Sequence, residues 1–374
     1  MTAAGETRAS TLKNEFAFAD AIEEARLRDV LKAAPQQPNA MLALGKFLTA
    51  HARDREAASL FRLALRTDSA HVEARFSLAA LLHSYEANRG EAVTLLREVL
   101  ALDPDSVDAY RMLAWSLLTQ EKRCDAVAVL REWVKRAPRD PTAQHLLAAY
   151  SQDSVPKRAP DEFVRKIFDN SADYFDALLR DTLSYCAPEV LMAALQPRMP
   201  AAFASVCDFG CGTGLCAPLL RPLTKQLVGV DLSERMIEKA RSLSLYDTLV
   251  VTEGTTYLRA NCDAHDLIFA ADTLEYFGAL DELLQAAFVS LLGAGFIAFT
   301  VERQPNDRVH GFELSDTGRY RHSDAYVIAQ LSAAGFVDIE LTIDTVRIEA
   351  GRAVAALVVV ANKPPDARSI HRMR

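Results

Sequence analysis

Hydrophobic residues follow two different patterns along this chain. Up to about residue 195, apolar positions recur every three or four residues, as on one face of a helix. From Ala204 onward, short apolar runs of strand length alternate with amphipathic helical segments. The chain has 374 residues, which is long for one compact core. The pattern therefore predicts two domains, one all-α and one α/β.

The helical part repeats itself with a period of 34 residues. The segment EAVTLLREVLALDPDS from Glu91 aligns with DAVAVLREWVKRAPRD from Asp125, and an earlier copy, EAASLFRLALRTDS, starts at Glu56. Small residues at fixed positions would let paired helices approach closely: Gly45, Ala57, Ala79, Ala92, Ala114 and Ala126. The spacing predicts stacked pairs of helices.

This pattern resembles the tetratricopeptide repeat over residues 38–150, with PTAQHLLAAY from Pro141 as a closing helix. One repeat could not bury its own apolar face, whereas three repeats and a cap could. The resemblance implies a solenoid whose concave surface binds a peptide or protein segment. The alternative is that the repeats dimerise the protein or shield its other domain.

Composition changes predict five segments. Residues between the two domains contain the hinge-like run SQDSVPKRAPDEF, and helices follow that we expect to cover the next domain. The segments are residues 1–37 (N-terminal helical segment), 38–150 (repeats), 151–203 (linker and covering helices), 204–362 (α/β domain) and 363–374 (mobile tail).

Seven strand-like runs appear in the second domain, in the order SVCDFG, QLVGVD, LVVTEG, DLIFAADT, GFIAFTV, FVDIELT and VAALVVVANK. Their alternation with helices predicts an α/β fold, with a largely parallel sheet covered by helices on both faces. A ligand should then bind at the carboxyl ends of the strands, where the strand order reverses.

The glycine-rich stretch VCDFGCGTG, from Val206 to Gly214, follows the first of these strands. A dinucleotide fingerprint would require a small residue at 215, but that residue is Leu, and the Asp208 carboxylate would repel a pyrophosphate. The same carboxylate suits a cationic ligand such as S-adenosylmethionine. Asp231, at the end of the second strand, is placed to accept hydrogen bonds from ribose hydroxyls.

With these motifs, residues 160–362 resemble a class I S-adenosylmethionine-dependent methyltransferase, and the whole chain is similar to bacterial methyltransferases that carry tetratricopeptide repeats. The resemblance implies a Rossmann-like fold with a seven-stranded, mostly parallel sheet. It also implies a set of residues that bind the methyl donor: Asp208, Gly210, Cys211, Gly212, Asp231, Leu232, Met236, Glu253, Gly254, Thr255, Asp272, Thr273 and Tyr174.

The family places acceptor contacts after the fourth and fifth strands. Gly318-Arg-Tyr-Arg-His-Ser323 is similar to an Arg-Tyr-x-His element of the repeat-bearing enzymes. Histidine titrates near neutrality, so His322 is a candidate base, while Arg319 or Arg321 could hold a substrate carboxylate. Alternatively, the run is a solvated turn, and a carboxylate acceptor would need no base. Further candidates are Tyr320 and Asp272 for catalysis, and Tyr276 and Glu302 for acceptor binding.

The net charge of −8 disfavours nucleic acid and anionic membranes as partners, and no Asn-Pro-Pro-Tyr run follows the fourth strand. Six cysteines without CxxC pairs, and no secretory or membrane-spanning segment, predict a cytoplasmic protein without a metal. We expect methylation of oxygen, nitrogen or carbon on a peptide or protein, for example during biosynthesis of a peptide natural product. The alternatives are a small-molecule methyltransferase that dimerises through its repeats and an inactive interaction protein.

Overall fold

The computed structural model describes residues 20–304, 311–349 and 351–366. The chain divides into two compact units, Met1–Arg139 and Asp140–Arg374. The predicted N-terminal segment is described from residue 20 onward, and residues 367–374 of the predicted mobile tail lie outside the described part of the chain.

The first unit is all-helical in its described residues. Its helices are α1 (residues 20–33), α2 (Pro38–Ala50), α3 (Asp54–Thr67), α4 (Val72–His83), α5 (Arg89–Leu102), α6 (Val107–Leu118) and α7 (Arg123–Arg136). The pairs α2–α3, α4–α5 and α6–α7 pack closely, as the sequence repeats predict. A Cβ on Gly45 would lie 2.4 Å from the Phe61 ring, which explains the small residue at that position.

The helices of the second unit begin with α8 (Pro141–Ser151), which the sequence pattern groups with the repeats but whose contacts place it here. The others are α9 (Asp161–Ser171), α10 (Phe175–Ala177), α11 (Ala187–Leu195), α12 (Ala217–Leu220), α13 (Glu234–Ser242), α14 (Gly254–Ala260), α15 (Asp281–Ser290) and α16 (Asp324–Ala334). A five-residue π-helical turn, Leu178–Thr182, continues α10.

The strands of this unit form one sheet and are β1 (Phe203–Phe209), β2 (Thr224–Asp231), β3 (Thr248–Val251), β4 (His265–Ala270), β5 (Leu291–Arg303), β6 (Phe312–Leu314), β7 (Tyr320–His322), β8 (Val337–Glu349) and β9 (Arg352–Asn362). The order is β3-β2-β1-β4-β5-β7-β6, and β9 lies antiparallel to both β5 and β8. β1 to β5 are mutually parallel. The predicted Rossmann-like fold and its seven strands are confirmed, and the short hairpin β6–β7 is an addition that we did not predict as strands.

Successive side chains of the central strands are buried on opposite faces of this sheet. On one face, side chains such as Phe209, Ile268 and Phe299 form a core with α15 and α16. On the other, Val206 and Phe269 pack with α11 and α12. Both faces of the central strands are therefore covered, which is why their sequences are nearly continuous apolar runs. Among the described residues, no helix is long and apolar enough to cross a bilayer.

Candidate active site

Three glycines with left-handed backbone build the loop after β1. The φ angles are +71° at Gly210, +54° at Gly212 and +94° at Gly214, a region that other residues rarely adopt. A Cβ on Gly210 would lie only 2.2 Å from the Thr273 side chain. The loop therefore places bare backbone against the end of β4, at the position where the strand order reverses.

Asp208, at the end of β1, is buried with only half of its carboxylate satisfied. Its residue exposure is 1%, and Oδ2 accepts a 2.6 Å hydrogen bond from the Tyr246 hydroxyl. Oδ1 has no hydrogen-bond partner among the described residues. Burial and, to a smaller extent, the charge of Asp231 raise the pKa of Asp208, the Tyr246 hydrogen bond lowers it, and the net result is a pKa of about 7. A cationic ligand would compensate this carboxylate, whereas a diphosphate would not.

Asp231, at the end of β2, holds the glycine loop in place. Its Oδ2 accepts from the Gly212 N–H at 2.9 Å, and its Oδ1 accepts from the Ser233 N–H at 2.8 Å. Each oxygen keeps a lone pair that a ribose hydroxyl could use. Burial raises the pKa of Asp231. Of the other predicted ligands near this loop, Cys211 and Met236 are buried and Leu232 is half-buried.

Glu253, predicted to contact adenine, caps helix α14. Its two carboxylate oxygens accept from the N–H groups of Thr255 and Thr256 at 2.9 and 2.8 Å, and Arg158 lies 3.0 Å away. Its pKa is lowered, because these N–H and hydroxyl donors outweigh the opposing effect of burial, the largest single influence. A Cβ on Gly254 would lie 2.4 Å from the Phe209 ring. The adenine contact of Glu253, Gly254 and Thr255 stays a prediction.

Helices α9 and α10 are fastened to the glycine loop and to α13 by carboxylates. Asp176 accepts a 2.6 Å hydrogen bond from the Thr213 hydroxyl, and Asp169 accepts one of 2.5 Å from Ser233. These contacts place helices α9 and α10 beside the loop. Tyr174 is 55% exposed, so its predicted closure over the donor stays untested.

A buried network of charged side chains occupies the carboxyl ends of β4, β5 and β8. Arg347 is 2% exposed; its Nη1 donates to both oxygens of Asp272 at 2.5 and 2.6 Å, and its Nη2 donates to Glu302. Arg319 donates to Glu302 at 2.6 Å and to both oxygens of Glu349 at 2.6 and 2.7 Å. We call these five residues, together with Glu275, the charged cluster.

The structure thus brings together three predicted site residues, Asp272, Glu302 and Arg319, with three that sequence reasoning missed. Arg347 and Glu349 lie on β8, where polar and apolar residues alternate as on any exposed strand. Glu275 stands in the Leu274–Tyr276 turn, of which only Tyr276 is predicted from the sequence as a candidate site residue. A buried Arg is rarely left unpaired, but nothing local in the sequence marks Arg347 as buried.

The hairpin β6–β7 holds three other predicted residues, His322, Tyr320 and Arg321, and the Nδ1 atom of His322 is buried without a hydrogen-bond partner among the described residues. His322 is fully buried, and its Nε2 lies 3.0 Å from the Gly278 carbonyl oxygen. Burial lowers the pKa of His322 to about 4 despite that contact. The Tyr320 hydroxyl donates to the Pro156 carbonyl at 2.8 Å. Arg321 lies 3.4 Å from Glu302 and is more exposed.

The catalytic roles of His322 and Tyr320, and the carboxylate-binding roles of Arg319 and Arg321, stay predictions. Tyr276 packs edge-on against Phe168, with ring centroids 5.5 Å apart. Its acceptor contact is likewise untested.

Comparisons with known proteins agree with this architecture. A family profile described as a methyltransferase domain matches residues 153–340, and one described as a tetratricopeptide repeat matches residues 85–150. A search of curated proteins found no match. The solved structures that the chain is similar to include the following two. The 1,6-didemethyltoxoflavin-N1-methyltransferase of Burkholderia thailandensis has 18% identity and a TM-score of 0.45, over 56% of this chain and 93% of that one. An S-adenosylmethionine-dependent methyltransferase of Mesorhizobium loti has 21% identity and a TM-score of 0.37, over 45% of this chain and 96% of that one.

The sheet order, the glycine loop and the acidic strand ends define the methyltransferase class of α/β enzymes. The chain belongs to the methyltransferase family whose profile covers residues 153–340. It is an S-adenosylmethionine-dependent enzyme that also carries tetratricopeptide repeats.

Proposed function

We propose that this enzyme methylates an oxygen or nitrogen atom of a peptide or protein that docks on its repeats. S-adenosylmethionine supplies a methyl group on a positively charged sulfur, which makes the leaving group neutral. The observation that most directly favours a cationic donor is the buried carboxylate oxygen of Asp208, which has no partner among the described residues. Asp231 and the backbone of Gly210 and Gly212 would hold the rest of the donor.

The acceptor would lie over the carboxyl ends of β4 and β5. Gly210 touches Thr273 there, so the donor loop and the charged cluster share a border. The proton that leaves a nitrogen or oxygen acceptor needs a base, and Asp272 offers a carboxylate at this border. The full burial of His322 and the contact of its Nε2 with the Gly278 carbonyl oxygen favour a structural role for that residue.

Donor binding is tested by Asp208→Asn in the full chain. We expect this variant to bind S-adenosylmethionine about 10- to 100-fold more weakly, since hydrogen bonds to charged groups contribute about 1.5–3 kcal/mol. Isothermal titration calorimetry measures the affinity. Asp263→Asn, at the opposite end of the sheet beside Lys363, is the matched control and should bind normally. Equal affinities for all three proteins would refute the role of Asp208.

An exposed aromatic side chain on the repeats supports the docking half of the proposal. Trp115 on α6 is 40% exposed, and tryptophan is enriched among residues that dominate protein interfaces. Leu102, at the end of α5, is 46% exposed and serves as a control residue of similar exposure.

We expect Trp115→Ala to lower methyl transfer to the docked peptide at least about tenfold, because such anchors contribute about 2 kcal/mol or more. The measurement is transfer of labelled methyl groups into a random peptide library, analysed by mass spectrometry. Leu102→Ala should transfer normally, and donor affinity should not change in either variant. Unchanged labelling by Trp115→Ala would argue against docking through this helix.

A further inference from the structure

The charged cluster contains more acids than bases. Four carboxylates (Asp272, Glu275, Glu302 and Glu349) face two guanidinium groups, those of Arg319 and Arg347. At its rim, Arg321 adds one positive charge and its partner Glu313, 3.5 Å away, adds one negative charge. The excess of two carboxylates therefore remains when the rim pair is included.

Both guanidinium groups are committed to protein carboxylates. Arg347 donates to Asp272, Glu302 and Glu349, and Arg319 donates to Glu302 and Glu349. An anionic acceptor would have to displace these buried partners, and breaking a buried pair is strongly unfavourable. The cluster is thus unsuited to a carboxylate or phosphate ligand.

Glu275 is the carboxyl group that the cluster leaves incompletely paired. The residue is 4% exposed, and its Oε2 has no hydrogen-bond partner among the described residues. Its nearest cations are Arg347 Nη1 at 3.7 Å and Arg319 Nε at 3.8 Å, beyond hydrogen-bonding distance. Burial first, and then the charge of Asp272, raise the pKa of Glu275 well above its usual range. A cation brought close to Glu275 would therefore stabilise the charged form of its carboxyl group.

Asp272 is the residue of the charged cluster that lies next to the glycine loop. It precedes Thr273, which touches Gly210, and its side chain is 14% exposed, compared with 3% for Glu302. Its backbone is held in the left-handed region at φ +56°, an uncommon state for a residue other than glycine, while its N–H donates to Thr300 at 2.8 Å. This geometry directs a carboxylate to the border between donor loop and cluster.

We propose that the acceptor is an amine, bound as an ammonium ion against the carboxylate of Asp272, with Glu275 as a positioning residue behind it. This inference rests on the proposed function. The ammonium gives one proton to Asp272 and becomes a neutral amine, while Arg347 keeps its ion pairs with Glu302 and Glu349. Its lone pair then forms the N–C bond as the C–S bond breaks, and the electron pair of that bond stays on sulfur. The product is a methylated ammonium and a neutral thioether.

The test measures binding of n-butylammonium and of butyrate to the full chain saturated with S-adenosylhomocysteine, by ligand-detected NMR titration. We expect saturable binding of n-butylammonium, none of butyrate, and at least a tenfold loss of n-butylammonium affinity in Asp272→Asn. Butyrate binding as tight as that of n-butylammonium, or no effect of Asp272→Asn, would overturn the inference.

A second variant guards against a folding defect in Asp272→Asn, because Asp272 is a partner of the buried Arg347. Arg321 is at the rim, with a side-chain exposure of 35%. Arg321→Gln should strengthen n-butylammonium binding about two- to threefold, because it removes a nearby positive charge from a partly screened position. Weaker binding in Arg321→Gln contradicts the inference. Failure of S-adenosylhomocysteine itself to bind would instead refute the proposed function.

Discussion

At the scale of single residues, the proposed donor contact at Asp208 depends on a carboxylate oxygen that folding leaves without a partner among the described residues. Asp208 was predicted from its position at a strand end, and the structure adds that one of its oxygens is buried without a partner in the described chain. Glu253 stands at a comparable strand end, yet caps a helix. Sequence position alone does not separate these two cases, because the difference depends on which N–H groups the next turn presents.

The raised pKa of Asp208 predicts a pH-dependent stability cost. Its folded pKa of about 7 exceeds the ordinary value of 3.8, so the unfolded chain loses this proton first as the pH rises. The contribution of Asp208 to the free energy of unfolding is therefore complete below about pH 4. It decreases as the pH rises to about 7, by on the order of 4 kcal/mol in total.

Asp208→Asn should therefore be more stable than the native protein at pH 8, without ligand, and nearly equal to it at pH 4. Urea unfolding at the two pH values measures the difference. A variant less stable than the native protein at pH 8 would contradict the assigned burial cost.

At the scale of elements, prediction succeeded where a pattern is local. The seven strands are apolar runs that alternate with helical segments, and the repeat helices carry periodicity over many residues, so their types were evident. Strands β6 and β7 have three residues each, which is too short for any period, and their pairing depends on contacts with β5. The charged cluster was missed in part for a related reason, since Asp272 and Arg347 are 75 residues apart and meet only through the sheet.

At the scale of the whole molecule, family boundaries and physical boundaries differ at α8. The repeat profile ends at residue 150 and the methyltransferase profile begins at residue 153, but α8 is built into the second unit. His145 Nε2 lies 2.9 Å from the Gly318 carbonyl oxygen, and Gln152, just after α8, donates to the Leu314 carbonyl at 2.9 Å.

A chain that begins at Asp140 should therefore be more stable than one that begins at residue 153. The shorter chain loses two hydrogen bonds to the hairpin and the burial of His145, a loss of about 3 kcal/mol. Chemical unfolding of both proteins measures the difference, with the full chain as reference. Equal midpoints would show that α8 does not support the hairpin.

Evolutionary exchange of the repeats has a consequence at this junction. The hairpin between β6 and β7 carries Arg319 into the charged cluster, and α8 anchors that hairpin. A recombination event that replaced everything up to residue 150 would replace α8 but keep the hairpin that carries Arg319, so the contact between them would be lost. Lineages that trade repeats should therefore splice upstream of Asp140, or inherit compensating changes at His145 and Gly318.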